Sequence, residues 1–561
     1  MEEHARHTSA EQTILTGQQI PVWLERTLLF TIVAVFLTLA LPQLSLPGLH
    51  PDEAQEVIPA VQLLRGQPVE TLRGSGVTVF SQRLPLMIVD YIGTVNTYLA
   101  IPFLGLLGIS VFSLRLMAVL TSAVTLVLLY RLGRALYTPA VGLAAAALLA
   151  VQPTFVFWSR QGVFVTYVTA PLTLGALLCG WRWWRGGGRP RALYAGAFLL
   201  GLALAAKLLT LWVMFGVGGA FAALYAPAMW RALRERTLAP LGTSLTWAQV
   251  GLSAVSFTVG AAMLVIFNLQ TGGTWRTISE NLGTSYYGVS NIAIFENLLE
   301  RFIGLKVVLT GEHFWYLGGV FSNPWWPRVF VAIGLAALAL TLWRARGEWR
   351  GLVFPFLALA LMTVASIFTV SALWFTHFAL LTPWPALALA VALGQVARHL
   401  RPAWLGGGLA ALVLVGLVAV DVGADLNYHV ALRDTGGYGA HSSEVYRLVE
   451  RLEDEGDPQP YALDWGIQDP VQFLSEGEIN PVELTGFEFE PGEAFAERVA
   501  GSLEDPGHLY IFHSPEETNF PRRAAFEEVV AGRGFAIADE EVLYDVSGRA
   551  LFVLIRLQPD G

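Results

Sequence analysis

Hydrophobic positions in the first 424 residues run together rather than alternate. Apolar stretches of about 20 residues recur, each long enough to cross the hydrocarbon core of a bilayer as a helix. The pattern predicts spans at about 25–46, 111–132, 138–157, 163–183, 192–206, 208–227, 248–270, 328–346, 351–370, 375–397 and 404–424. The first is unbroken from Leu28 to Leu46 and lacks a small-residue cleavage pattern, so it reads as an anchor and not as a signal peptide.

Beyond 424 the pattern changes. A helical segment at 441–455 precedes the strand-like PYALDW (460–465), and a helix at 491–503 precedes HLYIFH (508–513). A helix near 521–532 is followed by strand-like 534–544 and 550–557, an order that suggests a small α/β layer fold. The expected fold class is a polytopic α-helical membrane protein with about eleven spans, an outer interfacial helix and a small C-terminal α/β extracytoplasmic domain.

Composition sharpens this picture. With 54% hydrophobic and 14% charged residues, an ordinary soluble protein is excluded. The net charge of −9 hides two opposite parts: residues 1–424 carry 26 Lys+Arg against 16 Asp+Glu, while 425–561 carry 9 against 28. Such an acidic end argues for a solvated domain that does not bind nucleic acid. Cys179, the only cysteine, lies in an apolar stretch and leaves no intrachain disulfide.

Arginine placement sets the expected topology. Clusters at Arg131/Arg134, Arg182/Arg185/Arg189/Arg191, Arg231/Arg234/Arg236, Arg344/Arg346/Arg350 and Arg398/Arg401 flank spans and read as cytoplasmic. Counting the apolar segment 85–108 as a full crossing would put every later cluster outside. It therefore reads as a helix at the outer face, where Asp90, Tyr91, Asn96 and Tyr98 suit an interface. The expected organisation is a cytoplasmic tail (1–24), a membrane domain (25–424) with outer loops 47–84 and 271–327, and an outer acidic domain (425–561). The implied location is a bacterial-type inner membrane, with the N-terminus inside.

Several residues offer chemistry on the outer side. LHPDEAQEV (49–57) places Asp52 and Glu53 just beyond the first span, where repulsion and desolvation raise a carboxylate's pKa and make a base. The same residues also fit a plain helix start, with Asp52 as N-cap and Glu53 in the first turn. Lys207, one of only two lysines, sits within GLALAAKLLTLW and reads either as an anion partner or as a snorkelling side chain. Arg83 and Arg160 fall at outer helix ends, where they suit an anionic headgroup or an interfacial anchor. Asp90, Glu312, His313 and His377 are further possible substrate contacts; the Glu312–His313 adjacency is weak evidence for a metal. No Walker loop, GxGxxG, HExxH or paired CxxC is present, so nothing points to nucleotide hydrolysis.

Taken in order, HPDEA, SQRLPL, FLGLLGISVFSLRLMAVL, FWSRQG, GLALAAKLLT and FALLTPWPALALA resemble the GT-C class of membrane glycosyltransferases. The similarity is to the branch containing protein O-mannosyltransferases and the lipid A aminoarabinose transferase, over roughly residues 25–400. The resemblance implies an inverting transfer of a sugar from a polyprenyl-phosphate donor to a lipid, glycan or protein acceptor. Asp52 would be the catalytic carboxylate and Glu53 its partner, with Arg83 and Lys207 at the donor phosphate and Arg160 as a further cation. Gln82 stands where the aminoarabinose branch has an acidic, metal-linked residue, and Thr166 where some members have a second acid. These departures argue against a bound divalent metal, and no other cofactor is implied. DWG (464–466) is similar to bacterial relatives without an assigned role. A flippase or transporter would instead need ionisable groups at mid-membrane or broken helices, and an assembly or sensor protein would not need Asp52.

Overall fold

The computed structural model describes residues 20–162, 166–185, 189–285, 288–369, 374–486 and 490–560. Most of the expected tail 1–24 and the side chain of Thr166 lie outside the described residues. Among those described, Val22–Ala40, Val111–Leu136, Trp325–Arg344, Arg346–Phe368 and Ala403–Thr435 are each long and apolar enough to cross a membrane. Four helix pairs are apolar enough to cross only if each bent pair counts as one broken span: Pro139–Ala150 with Pro153–Gln161, Thr210–Leu224 with Ala226–Glu235, Trp247–Gly260 with Ala262–Thr271, and Phe375–Leu381 with Pro383–His399. Among the described residues this gives 5 to 9 spans by length and composition, against the expected eleven or so; Thr166–Arg185 and Pro190–Ala206, at the other two expected positions, are helices. The bends have local causes. Pro153 has no N–H to return to the preceding turn, and its pair turns by 65° there.

Three expectations need correction. Segment 85–108 is not one helix: Met87–Val89 and Ile92–Gly93 form a hairpin, and only Val95–Leu107 is helical. Pro85 and Gly93 punctuate the apolar run that suggested a longer helix. The regions expected as outer loops carry structure of their own. Residues 47–84 hold the short helices Pro51–Gln55 and Ile58–Arg65 and the hairpin Val77–Val79/Gln82–Leu84, and 271–327 holds the helices Gly273–Glu280 and Ile294–Thr310. The last membrane helix continues past 424 to Thr435, which joins it without a break to the start of the C-terminal part.

The arginine-bearing turns interlock at one end of the bundle. Arg134 pairs with Glu25 at 3.0 Å, and Arg398 pairs with Glu348 at 2.8 Å. Arg344 donates to the His399 carbonyl, Tyr137 to the Gly351 carbonyl and Trp184 to the Leu241 carbonyl.

The C-terminal part is built on a five-stranded sheet with strands in the order 482–483, 461–462, 510–513, 550–559, 535–544. The first three are parallel and the last two antiparallel. Alternation along the strands feeds two layers: Ile511 and Leu554 pack with Leu448 and Val471, while Tyr510, Phe512 and Ile555 pack with Phe495 and Phe526. The helix Gln468–Leu474 and the edge strand Val482–Glu483 escaped the sequence pattern. One has Pro470 in its first turn, and the other is too short to alternate.

Candidate active site

The first outer segment is shaped by its own sequence. His50 is extended, Pro51 opens the helix Pro51–Gln55, and a capping box closes the turn. His50 Nδ1 accepts the Asp52 N–H at 3.1 Å, and Glu53 Oε2 accepts the His50 N–H at 3.4 Å. The cap is therefore His50, not Asp52, which corrects the helix-start reading and leaves the Asp52 carboxylate available for other work.

The two adjacent acids part company at once. Glu53 is buried against Arg115, whose Nε and Nη2 each reach it at 3.0 Å. Arg115 also donates to the carbonyls of Leu44, Pro47 and Gly48 at 2.7–3.0 Å. One guanidinium thus ties the whole loop to the Val111–Leu136 helix, as suits a planar group with five donors. Glu53, expected as a partner in catalysis, is consumed by this anchor.

The Asp52 side chain keeps 21% of its surface open. Burial pushes its carboxyl up to about 7, while the Lys207 ammonium pulls it down. Burial, with His441 and Arg115 nearby, holds His50 well below the usual imidazole value, so His50 remains neutral.

Lys207 ends the helix Pro190–Ala206, where the backbone turns extended (φ −157°, ψ 126°). It bridges to Ile92, and the Leu208 N–H donates to the Tyr91 carbonyl at 3.1 Å. Gly93 makes this approach feasible, because a Cβ there would lie 2.3 Å from the Ala205 carbonyl oxygen. The Lys207 side chain is fully buried in the field of Glu56 and Asp52. Asn96 donates to Glu56 at 2.6 Å and accepts from Tyr167. Lys207 is thus not a snorkelling residue but a buried amine enclosed with carboxylates.

The other expected residues are elsewhere. Arg83 lies on the exposed hairpin and donates to the Gly74 carbonyl. Arg160 is buried and donates to the Pro42 and Gln43 carbonyls at 2.6 Å, while its Nε and Nη1 have no hydrogen-bond partner among the described residues. It holds the end of the first helix and is not an interfacial anchor. Asp90 pairs with Arg73 at 2.7 Å and accepts from Thr277 at 2.6 Å, clamping the hairpin to Gly273–Glu280. Glu312 pairs with Lys306 at 3.4 Å, whereas His313 is buried and accepts the Trp158 indole N–H at 2.9 Å. The structure therefore does not unite Glu312 and His313 in one site. His377 is buried in the field of Lys207, with Nδ1 at 3.2 Å from the Trp374 carbonyl. Among the described residues, no three His, Cys, Asp or Glu side chains are grouped to hold a metal ion.

Sequence reading missed Arg115, His50 and Glu56 as site builders. An arginine one turn inside an apolar span was the available signal for the first. Nothing local marked the others.

Residues 94–265 match the family model of dolichyl-phosphate-mannose-protein mannosyltransferases, a stretch that includes Arg115, Arg160 and Lys207 but begins after Asp52. No curated protein matches the chain in sequence. The crystal structure of ArnT from Cupriavidus metallidurans bound to undecaprenyl phosphate superposes with a TM-score of 0.57 at 13% identity, over 94% of this chain and 97% of that one. The chain has the GT-C fold. The GT-C likeness extends to the Archaeoglobus fulgidus oligosaccharyltransferase in complex with Zn and sulfate, with a TM-score of 0.50 at 15% identity, over 95% of this chain and 75% of that one. The ArnT match covers nearly the full length of both chains, so it takes in the C-terminal domain as well as the GT-C bundle.

Proposed function

We propose that the protein is an inverting glycosyltransferase that moves a sugar from a polyprenyl-phosphate carrier to an acceptor hydroxyl at the extracytoplasmic face. The observation that carries this reading is Asp52: a carboxyl raised to about 7, in a loop clamped by Arg115, with the enclosed Lys207 in its field. A carboxylate tuned to near-neutral pH is suited to general-base work.

In the proposed step the acceptor oxygen attacks the anomeric carbon and its proton passes to Asp52. The anomeric carbon–oxygen bond breaks, and its electron pair leaves with the carrier phosphate. That leaving group is already a weak base, so it needs charge stabilisation rather than protonation. Lys207 provides this, in surroundings whose low dielectric strengthens the attraction. Arg160 is a second candidate through its two unbonded nitrogens, and Arg83 a third from the exposed hairpin. Glu53 acts indirectly, holding Asp52 through Arg115. The matched family's description, dolichyl-phosphate-mannose, and the undecaprenyl phosphate in the ArnT structure support a lipid-phosphate donor.

The interlocked arginine turns support a common cytoplasmic end under the positive-inside rule. Asp52, Lys207 and the acidic domain then lie outside, in a bacterial-type inner membrane. The division into a membrane part and an acidic outer domain is kept, with the boundary drawn at the end of the last membrane helix, Thr435, and not at 424.

The test is sugar transfer by the purified protein in lipid, comparing wild type with Asp52→Asn, using radiolabelled polyprenyl-phosphate sugars and an envelope extract holding lipid, glycan and protein acceptors. Transfer that disappears with the substitution supports the reading. Equal transfer by both proteins removes Asp52 from the mechanism. Carrier crossing the bilayer without transfer identifies a flippase instead.

A further inference from the structure

The loop that carries Asp52 is held from two sides. From the membrane part, Arg115 binds the carbonyls of Leu44, Pro47 and Gly48. From the other side comes the C-terminal domain. A Cβ at Gly48 would collide with the Ser442 carbonyl, so glycine is what lets the two backbones pass this closely. Gly466 (φ +93°) lies so near that a Cβ there would be 3.1 Å from Pro51 Cγ. Immediately after it, the helix Gln468–Leu474 packs against Pro51–Gln55 and Ile58–Arg65. Phe473 is buried in one core with Leu49, Ala54 and Val57. Gln67 donates to the Glu476 carbonyl at 3.3 Å, and Arg65 pairs with the Glu476 carboxylate.

Side chains of the domain also reach His50, the residue that caps the Asp52 helix. The His441 ring meets those of His50 and Tyr316 at centroid distances of 4.5 and 4.3 Å, and Trp465 meets His50 edge-on at 6.2 Å. Contacts of this kind favour particular ring orientations. His50 Nδ1 in turn accepts the Asp52 N–H at 3.1 Å and lies 3.4 Å from Asp52 Oδ2. The orientation of one imidazole therefore bears on both the first turn of the helix and the place of the carboxylate.

The grip is specified from inside the domain. Asp464 is buried and accepts from His513 Nδ1 and the Trp465 N–H at 2.8 Å, and from the backbone N–H groups of Asn519 and Phe520 at 3.2 and 3.3 Å. The DWG sequence is thus a joint. Asp464 fixes the turn, Trp465 faces His50, and Gly466 permits the close approach.

Resting on the transferase reading above, we propose that Trp465 and His441 are positioning residues of the transfer centre. They hold the Asp52 carboxylate in place through His50, so the C-terminal domain completes the site that the membrane part begins. A misplacement of about 1 Å in a reacting group can cost ~100-fold in rate, so a joint made of aromatic contacts is enough to govern transfer. A contact that merely attached the domain would loosen the domain when broken and leave the Asp52 turn as it was.

The test has two arms. The first is hydrogen exchange read by mass spectrometry on the full chain in detergent, with no sugar donor present. We expect Trp465→Ala to speed exchange over 50–57 by ~10-fold and Trp465→Phe to restore most of the protection. The strands Tyr510–His513 and Ala550–Pro559 should exchange as in wild type. Unchanged exchange over 50–57 in folded Trp465→Ala would overturn the proposal, and His441→Ala replaces that variant if it does not fold. The second arm is the transfer assay. The Ala variant should lower kcat ~10-fold with the carrier KM near wild type, and the Phe variant should recover most of that loss. A wild-type kcat in the Ala variant would also overturn the proposal, even with altered exchange. Wild-type protein that transfers no sugar while the variant shows the exchange change would sink the transferase reading and leave the hold on Asp52 standing.

Discussion

Asp52 and Glu53 are neighbours in sequence and opposites in surroundings. Around Glu53 nearly every bond is made: a buried guanidinium satisfies the carboxylate and three backbone carbonyls at once. Around Asp52 the bonding is left incomplete, with part of the side chain open and an enclosed lysine in its field. The first arrangement holds a loop in place, and the second leaves a charge whose protonation can change. A buried ion pair with all its donors used is poor material for catalysis and good material for a fixed frame.

The comparison can be broken most severely at Arg115. Arg115→Ala leaves Glu53 charged, buried and alone, which should cost about 3–5 kcal/mol. Thermal unfolding in detergent would show it as a sharply lowered Tm. Arg115→Lys should recover only part, since an ammonium cannot reproduce the fork. Asp52→Asn should do the reverse, leaving the Tm near wild type while transfer falls ~100-fold or more. A large loss of stability from that change would mean that Asp52 belongs to the frame after all.

A smaller effect is expected at the second fully bonded acid. Asp464→Asn removes an acceptor from a buried four-donor arrangement and should cost about 1–3 kcal/mol. Limited proteolysis would then cut within the C-terminal domain before the membrane helices. The smallest effect concerns pH. Lys207 favours the ionised form of Asp52, so Lys207→Met should move the Asp52 midpoint above about 7 when protonated carboxyls are amidated by a carbodiimide across pH and read by peptide mass spectrometry. A downward movement would show that the lysine is not in its field.

These contrasts also explain what could be read from the chain. Asp52 and Lys207 announced themselves because a charge at the edge of an apolar run is costly and needs a reason. Arg115 broke the same rule but stood inside a span that was otherwise a good helix, and its role depends on carbonyls about 70 residues earlier. Arg160, Asp90 and His313 were noticed for their chemistry, yet each is bound to a partner that only folding supplies. Asp464 was visible in DWG without meaning until His513 and the 519–520 backbone closed on it.

By itself the sequence determined the membrane class, the apolar helices of the bundle and the change to a small mixed sheet domain. Those properties follow from local composition: about 20 apolar residues bury their own backbone polar groups as a helix, and alternation makes strands. Only the tertiary structure decided which carboxylate is bound and which is left partly open, because desolvation and pairing are set by residues far apart along the chain. It also decided that the C-terminal domain meets the Asp52 helix, since that depends on a close approach at Gly466 and a shared core around Phe473.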